Sequence, residues 1–296
     1  MKFADKLREL RKQENMSQEA LAAKLGVSRQ AVTKWETDKG LPDISNFMEL
    51  SALFGITVEE LLSGEETIVV KQEPLYESRT EYDMAGDKRI DMRLGGAKHV
   101  LLKGSDDEKI LVRLLSRSIE TVRQDFKVRI EDEKHRIDVS VNRMNKMTEI
   151  AAKDGLDIEV TLPNRCLNHL EMQANCSELR VANIVCENLE FSGRTERMSI
   201  EKLDAVFEVD CNLDMDISCC GLNGALELNQ ISATSVLHVP DDFAFRTVVK
   251  GFGNSISYGN GESLTEDFSN PDAESCIELN GMKSELKIMR GAALQK

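Results

Sequence analysis

Residues 16 to 36 read MSQEALAAKLGVSRQAVTKWE, two short amphipathic helices separated by one glycine, and the rest of the chain is read outward from them. Ser17 can cap a helix whose inward residues Leu21, Ala22 and Leu25 fall on one stripe. Gly26 ends it, because a residue without Cβ can take the left-handed conformation that the turn needs. Ser28 caps the next helix, with Ala31, Val32 and Trp35 inward. That leaves Arg29, Gln30, Thr33 and Lys34 facing out.

For any one of those polar residues, simple solvation of a helix face is explanation enough, since exposed Arg, Lys and Gln are ordinary. The ordered pattern is more specific: cap, helix, glycine, cap, then a helix with a donor-rich front is the helix-turn-helix arrangement. Such a recognition helix lies in the major groove with its first residues against base edges, which is where Arg29 and Gln30 stand. Arg suits a bidentate contact to guanine O6/N7 and Gln one to adenine N6/N7, while Thr33 suits a polar edge or a thymine methyl. Lys34 can reach a base or a phosphate. Gln18, in the first turn of the preceding helix, is placed to hold a phosphate beside exposed backbone N–H groups.

Residues 3 to 62 resemble the helix-turn-helix domain of the xenobiotic-response-element family, which includes Cro and the lambdoid phage repressors. The residues that carry this are Ser17-Gln18-Glu19, Leu21-Ala22, Leu25-Gly26-Val27-Ser28, Gln30, Val32, Trp35-Glu36 and Pro42. The resemblance covers about a fifth of the chain. It implies that Gln18 and Ser28 contact phosphate, that Arg29, Gln30, Thr33 and Lys34 face bases, and that Arg11 and Glu36 form a partly buried pair tying the first helix to the recognition helix.

Around this centre, helix one is expected over about residues 2 to 14, with Phe3, Leu7 and Leu10 inward. Lys39, Gly40 and Pro42 make a loop in which Lys39 can touch phosphate. Asp43 caps a fourth helix through Phe54 that buries Phe47, Leu50 and Leu53. Gly55 ends it, and Thr57 to Glu60 form a capping box for a fifth helix, with Ile56 and Leu61 as its hydrophobic staple. Five helices would give a small lambda-repressor-like unit.

The chain has 296 residues, too many for one ordinary domain. Its formal net charge of −14 is unevenly spread: residues 1 to 64 hold nine Lys/Arg and ten Asp/Glu, and the remainder holds 29 against 42, or −13. Screening over about 8 Å at physiological salt lets a local basic face act on DNA beside a distant acidic body. No run of 18 apolar residues occurs and the start, MKFADKLREL, is a charged amphipathic helix rather than a signal peptide, so a cytoplasmic protein is expected.

Three segments are expected: 1–64 as the DNA-binding domain, 65–95 as linker and entry to a second domain, and 96–296 as an acidic all-β domain. The polar stretch after Gly64, with Pro74 and the Gly95-Gly96 pair, suggests the linker. Val100 to Leu102, Ile110 to Leu114, Phe126 to Ile130, Ile137 to Val141 and Leu156 to Leu162 read as strands, with a helical turn near Ser118 to Gln124.

Beyond Pro163 short strand cores start at Leu170, Leu179, Leu189, Met198, Phe207, Met215 and Leu226, so alternate cores recur about every 19 residues. That period suits a stacked β-solenoid with two strands per coil; an antiparallel sandwich is the alternative, since its strands also recur every 8 to 12 residues. The stretch IEVTLPNRCLNHLEMQANCSELRV resembles the adhesin-type, GIN-like β-solenoid domains. That resemblance is one of pattern and transfers no site residue.

The four histidines, His99, His135, His169 and His238, show no metal-ligand spacing, and no P-loop, G-x-S-x-G or H-E-x-x-H motif is present. The glycine-rich run from Gly251 to Gly261 lacks a following helix and reads as turns. No catalytic residue, metal site or cofactor is expected, and the protein is read as not an enzyme. Cys166, Cys176, Cys186, Cys211, Cys219, Cys220 and Cys276 include no C-x-x-C pair; as small apolar thiols in a reducing compartment they fit interior packing better than a redox or metal sensor. The sequence thus describes a two-domain transcriptional regulator, a repressor that binds operator DNA as a homodimer, whose β domain self-associates or receives a signal from a small-molecule or protein effector. Two alternatives stand beside it: a DNA-tethered scaffold that polymerises through the β domain, and a ligand-binding or enzymatic β-helix module.

Overall fold

The computed structural model describes residues 3–13, 16–54, 75–261 and 263–290, and the chain divides into two compact units, Met1–Glu73 and Pro74–Lys296. The first unit is helical: α1 (Phe3–Gln13), α2 (Gln18–Lys24), α3 (Arg29–Glu36) and α4 (Ile44–Phe54). Their apolar stripes meet in one core of Phe3, Leu7, Leu10, Leu21, Ala22, Leu25, Val32, Trp35, Leu50 and Phe54, with Ala31, Phe47 and Leu53 partly buried against it. Asp43 caps α4 through the Asn46 N–H at 2.9 Å. The expected capping box and fifth helix lie outside the described residues.

The second unit is built from strands that join one open hydrogen-bonded network of 18. The stretch read as linker and entry carries two of them, β1 (Tyr76–Asp83) and the start of β2 (Lys88–Ser105). Ile90, Met92 and Leu94 are buried while Arg93 between them is exposed, a period-two alternation that the charged neighbours hide. The strand also runs through Gly95-Gly96, which the sequence marks as a breaker; the register slips there by a bulge instead of ending.

Then follow β3 (Lys109–Ser116), α5 (Val122–Asp125), β4 (Phe126–Asp132), β5 (Arg136–Arg143), α6 (Glu149–Gly155) and β6 (Asp157–Pro163). Helix α6 has no counterpart in the sequence reading, although Thr148 caps it through the Ala151 N–H at 3.2 Å. Pairing in this region is mixed: β1–β3, β3–β6 and β4–β5 are antiparallel, and β2 is parallel to β5 and β6.

Beyond Pro163 the ladders are parallel but for one late hairpin. The strands are β7 (Leu167–Ala182), β8 (Val185–Arg194), β9 (Arg197–Glu201), β10 (Leu203–Asp210), β11 (Asp216–Cys219), β12 (Leu222–Ile231), β13 (Thr234–Val239), β14 (Arg246–Val249), β15 (Ser255–Asn260), β16 (Ser263–Thr265), β17 (Cys276–Met282) and β18 (Glu285–Arg290). One ladder aligns Ile90, Leu170, Leu189, Phe207, Leu226 and Ile277 in register. The other aligns Val100, Leu179, Met198, Ile217, Leu237 and Ile288. Every one of these is buried, so each inward row stacks into a continuous apolar wall.

Chain order breaks at the end. β17 pairs with β12 on one side and β14 on the other, and β18 with β13 and β15, so the last strands insert between earlier ones. The glycine-rich run read as turns contains strand β15, which forms a hairpin with β16.

Outward rows follow the same register. Glu131, Asp138, Asp91, Glu171, Glu190, Glu208, Glu227 and Glu278 face one another strand by strand, a row of carboxylates crossing eight strands. Neighbouring strands are about 4.8 Å apart, and like charges directly opposite repel. Cations answer them: Arg136 pairs with Asp138 and Asp91, Arg89 with Asp91 and Glu171, Arg129 with Glu131, and Lys250 with Glu278. Burial, followed by the charges of Glu278 and Glu208, pushes the Glu227 carboxyl above its ordinary range.

Candidate nucleic-acid interface

Each turn between the central helices closes on itself. The Ser17 hydroxyl accepts from the Ala20 N–H at 3.0 Å and the Ser28 hydroxyl from the Ala31 N–H at 3.2 Å. At the end of α2, Gly26 stands at φ +63° and the Val27 N–H reaches the Ala22 carbonyl at 3.0 Å, a six-to-one closure that satisfies an orphan helix carbonyl. The end of α3 repeats the device with Asp38 at φ +57° and Lys39 N–H on the Lys34 carbonyl at 2.9 Å.

Between these ends α3 buries Val32, Trp35 and Glu36 and leaves Arg29, Gln30 and Lys34 exposed, with Thr33 half-buried. Ser28 and Lys39 are exposed too. The residues proposed to face bases therefore occupy one side of α3, opposite its apolar side.

Glu36 is 1% exposed, and a carboxylate that deep needs partners. Arg11 grips both its oxygens, Nε to Oε1 at 2.6 Å and Nη2 to Oε2 at 3.0 Å, while Arg11 Nη1 donates to the Met16 carbonyl at 2.7 Å. Arg8 donates to the Glu36 carbonyl. Gln18 Nε2 donates to Glu36 Oε2 at 2.8 Å, and the Thr33 hydroxyl donates to Gln18 Oε1 at 3.2 Å. Burial pushes the Glu36 carboxyl up, but the Arg11 and Gln18 hydrogen bonds and the charges of Arg11 and Arg8 outweigh it and hold the group below its usual 4.5.

This network adds something the sequence did not convey. Gln18 faces the polar interior with both ends of its amide engaged, so it links α2 to α3 as well as standing at the start of α2. Its role as a bridge is set by Glu36, eighteen residues away, and only the packed helices bring the two together.

In the β unit the polar groups are largely spent on the fold. Gln230, 1% exposed, donates to the carbonyls of Cys211 and Leu213 at 3.0 Å each and accepts from Ser235, fixing the floor of a half-open groove beside Asn212 and Asn280. All seven cysteines are free. Burial pushes the thiols of Cys176 and Cys186 up to about 11 and that of Cys219 to about 12, which leaves little thiolate at neutral pH. Among the described residues, no helix is long and apolar enough to cross a membrane.

Two capped helices around a left-handed glycine, the second with a buried back and a polar front, make the first unit a helix-turn-helix domain. Residues 7–61 accordingly match the Helix-turn-helix family model. The HTH-type transcriptional activator BcrR of Enterococcus faecalis is 46% identical over 72 residues, 24% of this chain and 35% of that one. The HTH-type transcriptional regulator YqaE of Bacillus subtilis (strain 168) is 32% identical over 71 residues, 24% of this chain and 61% of that one. The immunity repressor protein of Bacillus phage phi105 is 29% identical over 85 residues, 29% of this chain and 58% of that one. The chain thus spans between about a third and three fifths of the curated relatives it matches. Among solved structures, a candidate cell adhesion protein from Clostridium sporogenes ATCC 15579 covers 74% of this chain and all of its own at 10% identity and a TM-score of 0.39. A candidate adhesin from Bacteroides fragilis NCTC 9343 covers 73% and 97% at 12% identity and a TM-score of 0.27.

Proposed function

We propose that this protein is a sequence-specific DNA-binding transcriptional regulator whose α3 enters the major groove. The observation that carries the reading is the exposed side of α3: Arg29 and Gln30 directly after the Ser28 cap, followed by Lys34, on a helix anchored from behind by the Arg11–Glu36 pair. Arg29, Gln30, Thr33 and Lys34 read bases; Ser28 and Lys39 hold phosphate; Gln18 holds phosphate while its own position is fixed by Glu36. A DNA ligand supports a cytoplasmic reading.

Repression is the favoured outcome at the operator, and a homodimer is required because one recognition helix reads too few base pairs for useful specificity. In this reading the β unit is a solenoid that supplies self-association or signal reception. Its parallel ladders and a coil period of about 19 residues support a solenoid over a sandwich, whose neighbouring strands run antiparallel.

Selection of bound DNA from a random library by the full chain tests the reading. Arg29→Ala is expected to cost about 1–3 kcal/mol and relax one base position, and Gln30→Ala to relax another. A library that emerges unenriched, or an enriched motif indifferent to both substitutions, would overturn it.

A further inference from the structure

The carboxylate row of the β unit is met at one point by an imidazole. His169 and Glu171, two residues apart on β7, project to the same side, and Glu190 stands opposite Glu171 on β8. A ring nitrogen of His169 and one oxygen from each glutamate all lie within 4.8 Å of one another, and Nε2 to Glu190 Oε1 is 3.3 Å. Yet Nε2 is shut off from solvent and its hydrogen-bonding capacity is unmet. The 3.3 Å approach is thus a misaligned one, an imidazole nitrogen turned toward two carboxylates without an N–H···O bond to hold it.

Such a nitrogen calls for a cation. A tetrahedral ion with bonds of about 2.0–2.2 Å has ligand-to-ligand edges near 3.3 Å, which is the separation Nε2 and Glu190 Oε1 already have. We infer that His169, Glu171 and Glu190 bind a divalent ion of the zinc class, with water completing its shell. The nitrogen donor and the small span select zinc, cobalt or nickel over calcium and magnesium, which take oxygen ligands in larger or more hydrated shells. All three ligand side chains are partly exposed, although the Nε2 atom itself is covered. Arg89, paired with Glu171, is the resident competitor: it supplies the positive charge the ion would bring. Sequence spacing hid the set because Glu190 arrives from the next coil, nineteen residues after Glu171. The inference stands apart from DNA binding and gives the β unit a ligand of its own.

The test is metal titration of the metal-stripped, reduced full chain, with Zn2+ followed by calorimetry and Co2+ by visible absorption. We expect about one ion per chain and cobalt d–d bands without a thiolate charge-transfer band. His169→Ala and Glu190→Gln should each weaken binding at least about tenfold, since even outer ligands are worth ten- to hundredfold. Arg89→Met, which frees Glu171, should tighten it. His169→Asn serves if the alanine variant does not fold. Absence of binding at about millimolar metal, unchanged affinity in the His169 and Glu190 variants, a thiolate-to-cobalt band, or no tightening in Arg89→Met would each overturn the assignment.

Discussion

The helical unit and the β unit both bury apolar side chains behind hydrogen-bonded backbone, but they close that backbone over different distances along the chain. In the helical unit both ends of α2 and of α3 are closed locally, by Ser17 and Ser28 in front and by Gly26 and Asp38 behind. In the parallel ladders of the β unit the partner of a strand lies about eighteen residues away, as with Leu189 and Phe207, or about fifty, as with Leu226 and Ile277. Local closure leaves one face of α3 free to act on a ligand. Stacked closure commits the backbone and presents repeated rows of side chains, so any site there is assembled from neighbouring strands.

The two units can be followed separately because the chain's single tryptophan, Trp35, lies in the helical core. Its fluorescence reports that unit, while the strand signal in far-ultraviolet circular dichroism reports the other. The largest effect is expected from Gly281→Ala. Gly281 has φ +116° and an added Cβ would fall on the Gln230 carbonyl oxygen of the adjoining strand, a backbone atom that cannot swing away. A loss of about 4 kcal/mol or more in the strand transition is expected, with the Trp35 transition in place. Movement of both together would show that the units are not thermodynamically separate.

Next comes Glu36→Ala, which leaves the Arg11 guanidinium, 12% exposed, without its carboxylate. Breaking one side of a buried pair costs about 3–5 kcal/mol, and here the Trp35 midpoint in urea should fall while the strand midpoint holds. Acid should sharpen the contrast. Because the folded-state value of Glu36 lies below its unfolded value near 4.5, its contribution is fully present above that pH and lost as pH falls through the folded value. The Trp35 midpoint should therefore decline below about pH 4.5 in the native protein, and a Glu36→Gln variant should show a shallower decline.

The smallest effect is a gain. Asp38 holds a left-handed conformation at φ +57°, where glycine pays no steric penalty, so Asp38→Gly should raise the helical midpoint by up to about 1 kcal/mol. A decrease would mean that the Asp38 side chain contributes more than its backbone strain costs.

Much of this was legible in the chain. Ser17, Gly26 and Ser28 announce their helices because caps and left-handed turns depend on residues within one or two turns. The strand cores at Leu170, Leu189, Phe207 and Leu226 announce their spacing, and the ladders place them side by side. Three things were missed for physical reasons. Strand β1 and the first half of β2, before the expected strand at Val100 to Leu102, look polar because one face of each is charged. Helix α6 is seven residues, about two turns, too short to show a period. The placement of β17 between β12 and β14 has no local signal at all, since parallel pairing is decided by which edge is free when the last strand arrives.

What the sequence determined by itself is the list of short-range events: where helices begin and end, which side of α3 stays polar, and the step at which apolar segments return. What only the tertiary structure decided is which distant groups meet: Gln18 with Glu36, His169 and Glu171 with Glu190, and the last two strands with their out-of-order neighbours. Hydrogen bonds within a helix or turn are chosen by residues next to one another, whereas contacts between elements are chosen by the register of whole surfaces, and that register is a property of the folded chain.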